Sequence, residues 1–231
     1  MAGEKRMSLL AGTPVAPLKV HASILMRAGL VSIRDAIPTD AKDFVAYWHC
    51  SGDEHLNFLG IDRKKLGTPE ATCERFLRMI RAQGSDQPAV VFTIVLNDEV
   101  VGYTNLNRYD SDNNYPHLHT YKNAVRSALK TTESLPAGGK GAGLGTVIIG
   151  PILCMCFDLF PVNRLVLQTR TRNRGINSAL DKYMPPAETA YFENPDGVAG
   201  PGEFHVRYVH REDAAWILAR TRELAMGGQA L

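Results

Sequence analysis

Two runs of β-forming residues separated by a tight turn constrain the fold more than any other feature of this sequence. Residues 89–96 read AVVFTIVL, residues 100–107 read VVGYTNLN, and Asn97-Asp98-Glu99 stands between them. β-Branched and aromatic residues favour strands, so two such runs around a short polar turn predict an antiparallel hairpin. Segments with helical periodicity lie on both sides of this hairpin, which predicts a mixed α/β protein.

Two amphipathic helices are predicted before the hairpin. Apolar residues recur with helical spacing through residues 41–48, and a second helix begins with Thr68 as its N-cap and Pro69 at its first position. The remaining predicted elements are a first strand at 31–34, strands at 117–121, 164–172 and 204–209, an apolar helix within 146–160 and a helix at 175–184.

Composition and charge restrict the function. Hydrophobic residues make up 45% of the 231 residues, and the formal net charge is only +2. This balance gives no broad electrostatic basis for binding nucleic acid or an anionic membrane. The four cysteines lack zinc-type spacing, so we expect free thiols, no metal and a cytoplasmic protein.

The N-terminal segment is predicted to precede the folded domain. Residues 1–30 are expected to form a loosely ordered extension rather than a signal peptide, because Glu4, Pro14 and Pro17 interrupt the pattern of an export signal. Residues 31–231 form one predicted domain.

A glycine-rich turn between two predicted elements is the main candidate for ligand binding. Residues 137–146 read AGGKGAGLGT. Glycines allow close approach of the backbone to an anion, and a helix that starts there directs free N–H groups and its positive dipole end at it. A Walker loop is excluded because Lys140 is followed by Gly141, and a G-x-G-x-x-G fingerprint fails at Leu144 or Thr146.

The turn fits a different pattern. Lys140-Gly-Ala-Gly-Leu-Gly145 resembles the [QR]-x-x-G-x-[GA] signature of the GNAT superfamily of acyl-CoA-dependent N-acyltransferases, with lysine at the first position. Asn173 and the later Leu180-Asp181-Lys182 resemble the N-x-x-[SA]-x-x-x-L-E-K stretch of GNAT enzymes that acetylate protein N-termini or small amines. The resemblance extends over residues 31–209 and implies a mixed, mainly antiparallel central sheet flanked by helices.

The resemblance implies an activity and a cofactor site. The family transfers an acetyl or other short acyl group from acyl-CoA, such as acetyl-CoA, to a primary amine by direct attack. The acceptor is then a small-molecule amine or a peptide N-terminus, and a homodimer is left open. The implied cofactor-binding residues are Lys140, Gly141, Ala142, Gly143, Leu144, Gly145, Thr146, Thr120, Tyr121 and Asn173.

Three residues are candidates for proton transfer. His117 and His119 alternate along one strand, and histidine titrates near neutral pH, so either can accept the proton of an amine. His119 is favoured because it lies nearer the point where two parallel strands are expected to separate. Tyr183 is a candidate general acid, although the family register places the tyrosine at Leu180, so a packing role is the alternative.

Departures from the family pattern leave other functions open. Pro151 falls in the presumed cofactor helix, residues 122–136 form an apparent insertion that can act as a lid, and Met184-Pro185-Pro186 replaces the usual glycine and aromatic residue. The alternatives are an N-acyl amino acid synthase that uses longer acyl donors and a catalytically silent acyl-CoA-binding regulatory module. The regularly spaced Arg170, Arg172 and Arg174 are candidates to bind phosphate or an acidic acceptor.

Overall fold

The computed structural model describes residues 18–26, 29–82, 89–109, 115–122, 144–160, 163–193 and 199–226. They form one eight-stranded sheet with the order β1-β2-β3-β4-β5-β6-β8-β7. The strands are β1 (Val20–Met26), β2 (Gly29–Asp35), β3 (Ala89–Leu96), β4 (Glu99–Tyr109), β5 (Tyr115–Lys122), β6 (Arg164–Arg170), β7 (Glu188–Phe192) and β8 (Gly202–His210). Only β5 and β6 pair in parallel among these strands, which confirms the predicted mixed and mainly antiparallel sheet.

Helices flank both faces of the sheet. They are α1 (Ala41–His49), α2 (Asp53–Leu59), α3 (Arg63–Leu66), α4 (Pro69–Arg81), α5 (Leu144–Val147), α6 (Ile149–Leu159), α7 (Arg174–Leu180) and α8 (Ala214–Ala225), with 3₁₀ turns at Pro38–Asp40 and Arg211–Asp213. The predicted N-cap of α4 is confirmed, since the Thr68 hydroxyl accepts a hydrogen bond from the Ala71 N–H at 3.2 Å.

Alternation along the strands divides the apolar residues between two cores. The major core joins α5, α6, α7 and α8 to strand residues such as Phe92 and Leu167. The minor core joins helices α1 to α4 to Val91 and Tyr103 on the opposite face. A third small cluster, made by Val166, Phe204 and Val206, lies on the same face as the minor core because Val166 alternates with Leu165 and Leu167.

The predicted hairpin is present, and the backbone conformation of its turn accounts for the residues found there. Strands β3 and β4 are joined at Asn97 and Asp98, whose φ angles are +48° and +68°. Asparagine and aspartate tolerate this left-handed conformation better than most residues. The Asn97 side-chain oxygen also accepts a hydrogen bond from the Leu30 N–H at 3.0 Å, which ties the turn to β2.

The sheet begins earlier than the sequence suggests. Val20–Met26 forms edge strand β1, which pairs antiparallel with β2, so ordered structure lies within the segment assigned to the extension. The strand was missed because only Ile24 of β1 is fully buried, and an edge strand therefore shows no clear alternation of apolar and polar residues. Residues 20–26 and 29–30 are therefore part of the described sheet.

Pro151 divides the presumed cofactor helix into two helices. Helix α5 ends at Val147 and α6 begins at Ile149, while the Ile148 N–H still donates to the Leu144 carbonyl at 3.0 Å. A proline has no N–H and its ring crowds the carbonyl four residues earlier, which here belongs to Val147. The interruption at Ile148 places Pro151 in the first turn of α6, where proline is tolerated.

The C-terminal part of the chain differs from the prediction in three elements. Helix α7 ends at Leu180 instead of reaching Met184, and the structure adds β7 and α8. The buried positions of α8 include Ala214, Ile217 and Thr221, a helical spacing that the sequence does contain. Along the described part of the chain, no helix is long and apolar enough to span a bilayer, and no group of side chains has the composition of a metal site.

Asp40 is a buried carboxylate at the junction of β2, the 3₁₀ turn and β3. It accepts hydrogen bonds from Arg34 at 2.7 Å, from the Ile37 N–H at 2.9 Å and from the Thr93 hydroxyl at 2.6 Å. Burial alone raises the pKa of Asp40, but these hydrogen bonds outweigh burial, so its pKa is lower than that of an ordinary aspartate.

A lowered pKa in the folded state makes Asp40 a source of acid sensitivity. Its contribution to stability is fully present above the pKa of an unfolded aspartate, near 4, and is lost as the pH falls through the lower folded pKa. We expect Asp40→Asn to lower the free energy of unfolding at pH 7 by about 2 kcal/mol and to flatten the loss of stability below about pH 4.

Denaturant unfolding between pH 2.5 and 7 measures both effects. The control is Asp53→Asn, because Asp53 is exposed and pairs with the exposed Arg63, and such pairs contribute less than about 1 kcal/mol. If stability falls below about pH 4 as steeply in Asp40→Asn as in the wild-type protein, Asp40 is not a source of the acid sensitivity.

Candidate active site

The sheet opens between its two parallel strands. Strands β5 and β6 pair at His117 with Val166 and at Leu118 with Leu167. Beyond these pairs β5 continues to Lys122 and β6 to Arg170 without pairing to each other. The open edge of β5 therefore carries backbone N–H and C=O groups that sheet pairing with β6 does not use.

The residues predicted for this position lie along the open part of β5. His119, Thr120 and Tyr121 stand opposite Asn105, Thr104 and Tyr103 of β4, which are all buried. His119 is the first residue beyond the last pair with β6, whereas His117 lies within the paired region. This register separates the two candidate histidines by position relative to the opening.

The glycine turn leads into α5. Lys140, Gly141, Ala142 and Gly143 lie outside the described residues, and the described chain resumes with α5 at Leu144. Gly145 is buried and Thr146 is half-buried. Helix α5 therefore follows the glycine-rich run in the sequence, which is the order that the anion-binding interpretation expects.

Tyr183 connects this helix to the segment after α7. Its side chain is 1% exposed, and its hydroxyl donates a hydrogen bond to the Thr146 carbonyl at 3.1 Å. Burial raises the pKa of Tyr183 well above its usual value, and the nearby Arg207 opposes this only in part. A hydroxyl in this environment holds its proton firmly.

Asn173 occupies the N-cap position of α7 but does not cap it with its side chain. Its backbone carbonyl accepts a hydrogen bond from the Asn177 N–H at 3.1 Å, and its own N–H donates to the Arg170 carbonyl at 2.9 Å. The half-buried side chain is thus not used for helix capping at the end of β6, beside the opening.

The structure corrects the interpretation of the three regularly spaced arginines. Arg172 and Arg174 are exposed, whereas Arg170 is buried and directs its guanidinium at the backbone carbonyls of Gly60, Gly200 and Pro201. Arg170 therefore does not belong to a solvated phosphate-binding set.

A buried polar network behind the opening was not predicted. Arg207 lies in the middle of β8 with a fully buried side chain, pairs with Asp181 and lies 3.5 Å from the Asn177 side-chain oxygen. The Asn177 amide donates to the Arg170 carbonyl at 2.8 Å, which joins α7 to the end of β6. The sequence signal is a single arginine within the run FHVRYV, a pattern that predicts only a final strand.

No protein-family model matches this sequence, and a search of curated proteins finds no match. Solved structures do resemble it. RimJ from Mycobacterium smegmatis, in complex with CoA-disulfide, has a TM-score of 0.58 at 18% identity, over 90% of this chain and 94% of RimJ. The ribosomal-protein-S5-alanine acetyltransferase from Vibrio fischeri has a TM-score of 0.60 at 14% identity, over 83% of this chain and 97% of that enzyme.

A third similar structure is that of an acetyltransferase of microcin self-immunity. The microcin C7 self-immunity acetyltransferase MccE, in complex with acetyl-CoA and AMP, has a TM-score of 0.54 at 12% identity, over 80% of this chain and 98% of MccE. These proteins are acetyltransferases of the GNAT fold. The chain therefore has the GNAT superfamily fold over most of its length.

Proposed function

We propose that this protein is an acyl-CoA-dependent N-acyltransferase that moves an acetyl or other short acyl group to a primary amine. The observation that carries the proposal is the single parallel pair among the described strands, β5–β6, which separates after Leu118 and Leu167. Helix α5, which follows the glycine-rich run in the sequence, supplies a candidate anion site. The similarity to acetyltransferases whose structures contain CoA or acetyl-CoA supports the same chemistry.

The residues around the opening suit acyl-CoA. The glycine turn at 140–143 and the first N–H groups of Leu144, Gly145 and Thr146 would hold a diphosphate, because a helix start favours anions. The free backbone edge at Thr120 and Tyr121 and the amide of Asn173 would hold the amide-rich pantetheine arm. Acyl-CoA supplies a thioester carbonyl that is activated toward an amine.

We assign the role of general base to His119, with His117 as the second candidate. Most amines are protonated at pH 7, so a group that titrates near neutrality is suited to remove the proton directly or through water. His119 lies at the opening, whereas His117 is one step inside the paired part of the strands.

Loss of His119 tests the base. Removing a positioned base typically costs between 10²- and 10⁴-fold, so we expect His119→Ala to lower kcat by about 100-fold with little change in acyl-CoA affinity. His210→Ala is the control, because His210 is exposed at the far end of β8 and should change kcat by less than about twofold. An unchanged kcat in His119→Ala would move the assignment to His117.

The assay for the proposed function follows thiol release from acetyl-CoA with a panel of acceptors. The panel contains peptides with N-terminal alanine, serine or methionine, free amino acids and polyamines, and butyryl- and palmitoyl-CoA replace acetyl-CoA in parallel. Turnover that requires an amine supports the proposal, and turnover only with palmitoyl-CoA indicates a long-chain synthase. CoA binding without turnover on any acceptor would indicate a silent binding module, and no CoA binding would overturn the proposal.

We assign Tyr183 to positioning rather than to acid catalysis, because its hydroxyl is buried and already donates to the Thr146 carbonyl. We expect Tyr183→Phe to raise the KM for acyl-CoA by about fivefold, the effect of losing one hydrogen bond of about 1 kcal/mol, with kcat within about twofold. Steady-state kinetics as a function of pH measures this. A large fall in kcat together with a lost basic limb in the pH profile would instead identify Tyr183 as the acid.

A further inference from the structure

Arg170 ends strand β6 at the opening of the sheet. It lies beyond Leu167, the last residue of β6 that pairs with β5. Alternation along β6 places Arg170 on the same face as Val166, and its guanidinium carbon lies 4.2 Å from the centre of the Phe204 ring on that face. This is the face opposite α5 and α6.

The guanidinium joins two segments that are distant in sequence. Its Nη1 donates to the Pro201 carbonyl at 2.9 Å, and its Nη2 donates to the carbonyls of Gly60, at 3.0 Å, and Gly200. The same segments also contact each other directly, since the Gly200 N–H donates to the Gly60 carbonyl at 2.8 Å. Arg170 thus fastens the corner between α2 and α3 to the segment that leads into β8.

Two glycines with positive φ make room for this side chain. Gly60 has a φ of +75° and Gly202 a φ of +145°. A Cβ atom on Gly60 would lie 2.1 Å from the Arg170 Nε, and one on Gly202 would lie 2.1 Å from the Nη1. Both positions therefore require glycine for their conformation and for the space that the guanidinium occupies.

Within the described residues, the cation is held by backbone carbonyl dipoles and by the face of the Phe204 ring. No carboxylate of this part of the chain lies within ion-pair distance of Arg170. The arginine is only 7% exposed. Burial, aided by the charge of Arg172, lowers the pKa of Arg170. Arginine nevertheless stays charged at neutral pH, and a buried cation is costly to the fold.

We propose that Arg170 is a positioning residue for the acceptor, because it holds the 60–61 corner and residues 199–202 together as one wall of the amine-binding side of the opening. This inference rests on the proposed function. Acyl-CoA held at the start of α5 would approach the opening from the face of the major core, which leaves the other face to the amine. Residues 60–61 and 199–202, which Arg170 joins, lie on that other face at the end of β6.

Kinetic variants separate this role from a purely structural one. We expect Arg170→Met to raise the KM for the acceptor about tenfold, with the KM for acetyl-CoA within twofold. Arg170→Lys, which keeps one donor group, should give an intermediate value. The acceptor is the alanyl, seryl or methionyl peptide, amino acid or polyamine that the wild-type protein acetylates fastest. Lys64→Met is the matched control, since Lys64 is an exposed cation on the same corner and should leave both constants unchanged.

A second variant keeps the test valid if Arg170→Met fails to fold. The Lys65 ammonium donates to the Ala199 carbonyl at 2.9 Å and joins the same two segments from the surface. Lys65→Met should raise the acceptor KM about twofold and speed hydrogen exchange of the Gly200 amide. If Arg170→Lys and Lys65→Met change only the KM for acetyl-CoA, or neither constant, the inference is wrong. Absence of turnover in the wild-type protein would instead refute the proposed function on which it rests.

Discussion

Neutralising Asp181 is expected to cost about 3 kcal/mol of the free energy of unfolding, whereas removing its partner Arg207 should cost about 1 kcal/mol. The asymmetry follows from burial: the Arg207 side chain is 0% exposed and the Asp181 side chain is 58% exposed. In Asp181→Asn the arginine cannot shed its proton, so a buried cation remains without a counter-ion. In Arg207→Met the carboxylate returns to water, and the unbranched methionine occupies the vacated space.

Denaturant unfolding of the two single variants and the double variant measures this difference. The free energy of unfolding of the double variant should equal that of Arg207→Met, because neither protein contains a buried charge without a counter-ion. A larger loss in Arg207→Met than in Asp181→Asn would show that packing of the arginine stem, and not its charge, determines stability at this position.

Replacing Gly150 with alanine is expected to lower the free energy of unfolding by about 3 kcal/mol. Gly150 lies in α6 where that helix crosses α8, and a Cβ atom there would lie 2.1 Å from the Thr221 hydroxyl oxygen and 2.9 Å from the Leu218 Cα. The second of these contacts involves backbone, so the helices must move apart. Thr221 is fully buried and its hydroxyl donates to the Leu218 carbonyl at 3.0 Å, which limits its escape.

Gly175→Ala is the matched control for the helix effect. Gly175 also lies in a helix, but nothing stands within 4 Å of the position of its Cβ. Alanine is the better helix former, so this variant should gain up to about 1 kcal/mol. Thermal unfolding of both variants measures the two changes in stability. Equal changes at Gly150 and Gly175 would contradict the close crossing of α6 and α8.

The sequence predicts most of the fold because its local patterns are strong. The hairpin around Asn97 and Asp98, the α4 start at Thr68 and the helix after the glycine turn all carry signals within a few residues. The edge strand β1 and helix α8 carry weaker patterns, and their formation depends on partners that are distant in the chain. Pro151 predicts an interruption, and the break at Ile148 lies between the proline and the carbonyl of Val147 that its ring would crowd.

The candidate site is less predictable for the same reason. The sequence places His119, Thr120 and Tyr121 on a strand, and the register with β6 then shows where that strand becomes unpaired. The roles of Arg170 and Arg207 cannot be predicted from spacing, because their partners come from the corner between α2 and α3, from the segment at 199–202 and from the turn after α7. Tyr183 is similar, since only the fold brings its hydroxyl to Thr146.

The opening between β5 and β6 also divides the sheet mechanically. Strands β1 to β5 form one ribbon and β6, β8 and β7 another, and two residue pairs join them. So short a seam resists shear weakly, and the ribbons are held in place chiefly by the major core, which lies across both of them. The width of the gap is therefore set by side-chain packing beneath it, and we expect a substitution deep in that core to alter the proposed activity without touching a ligand.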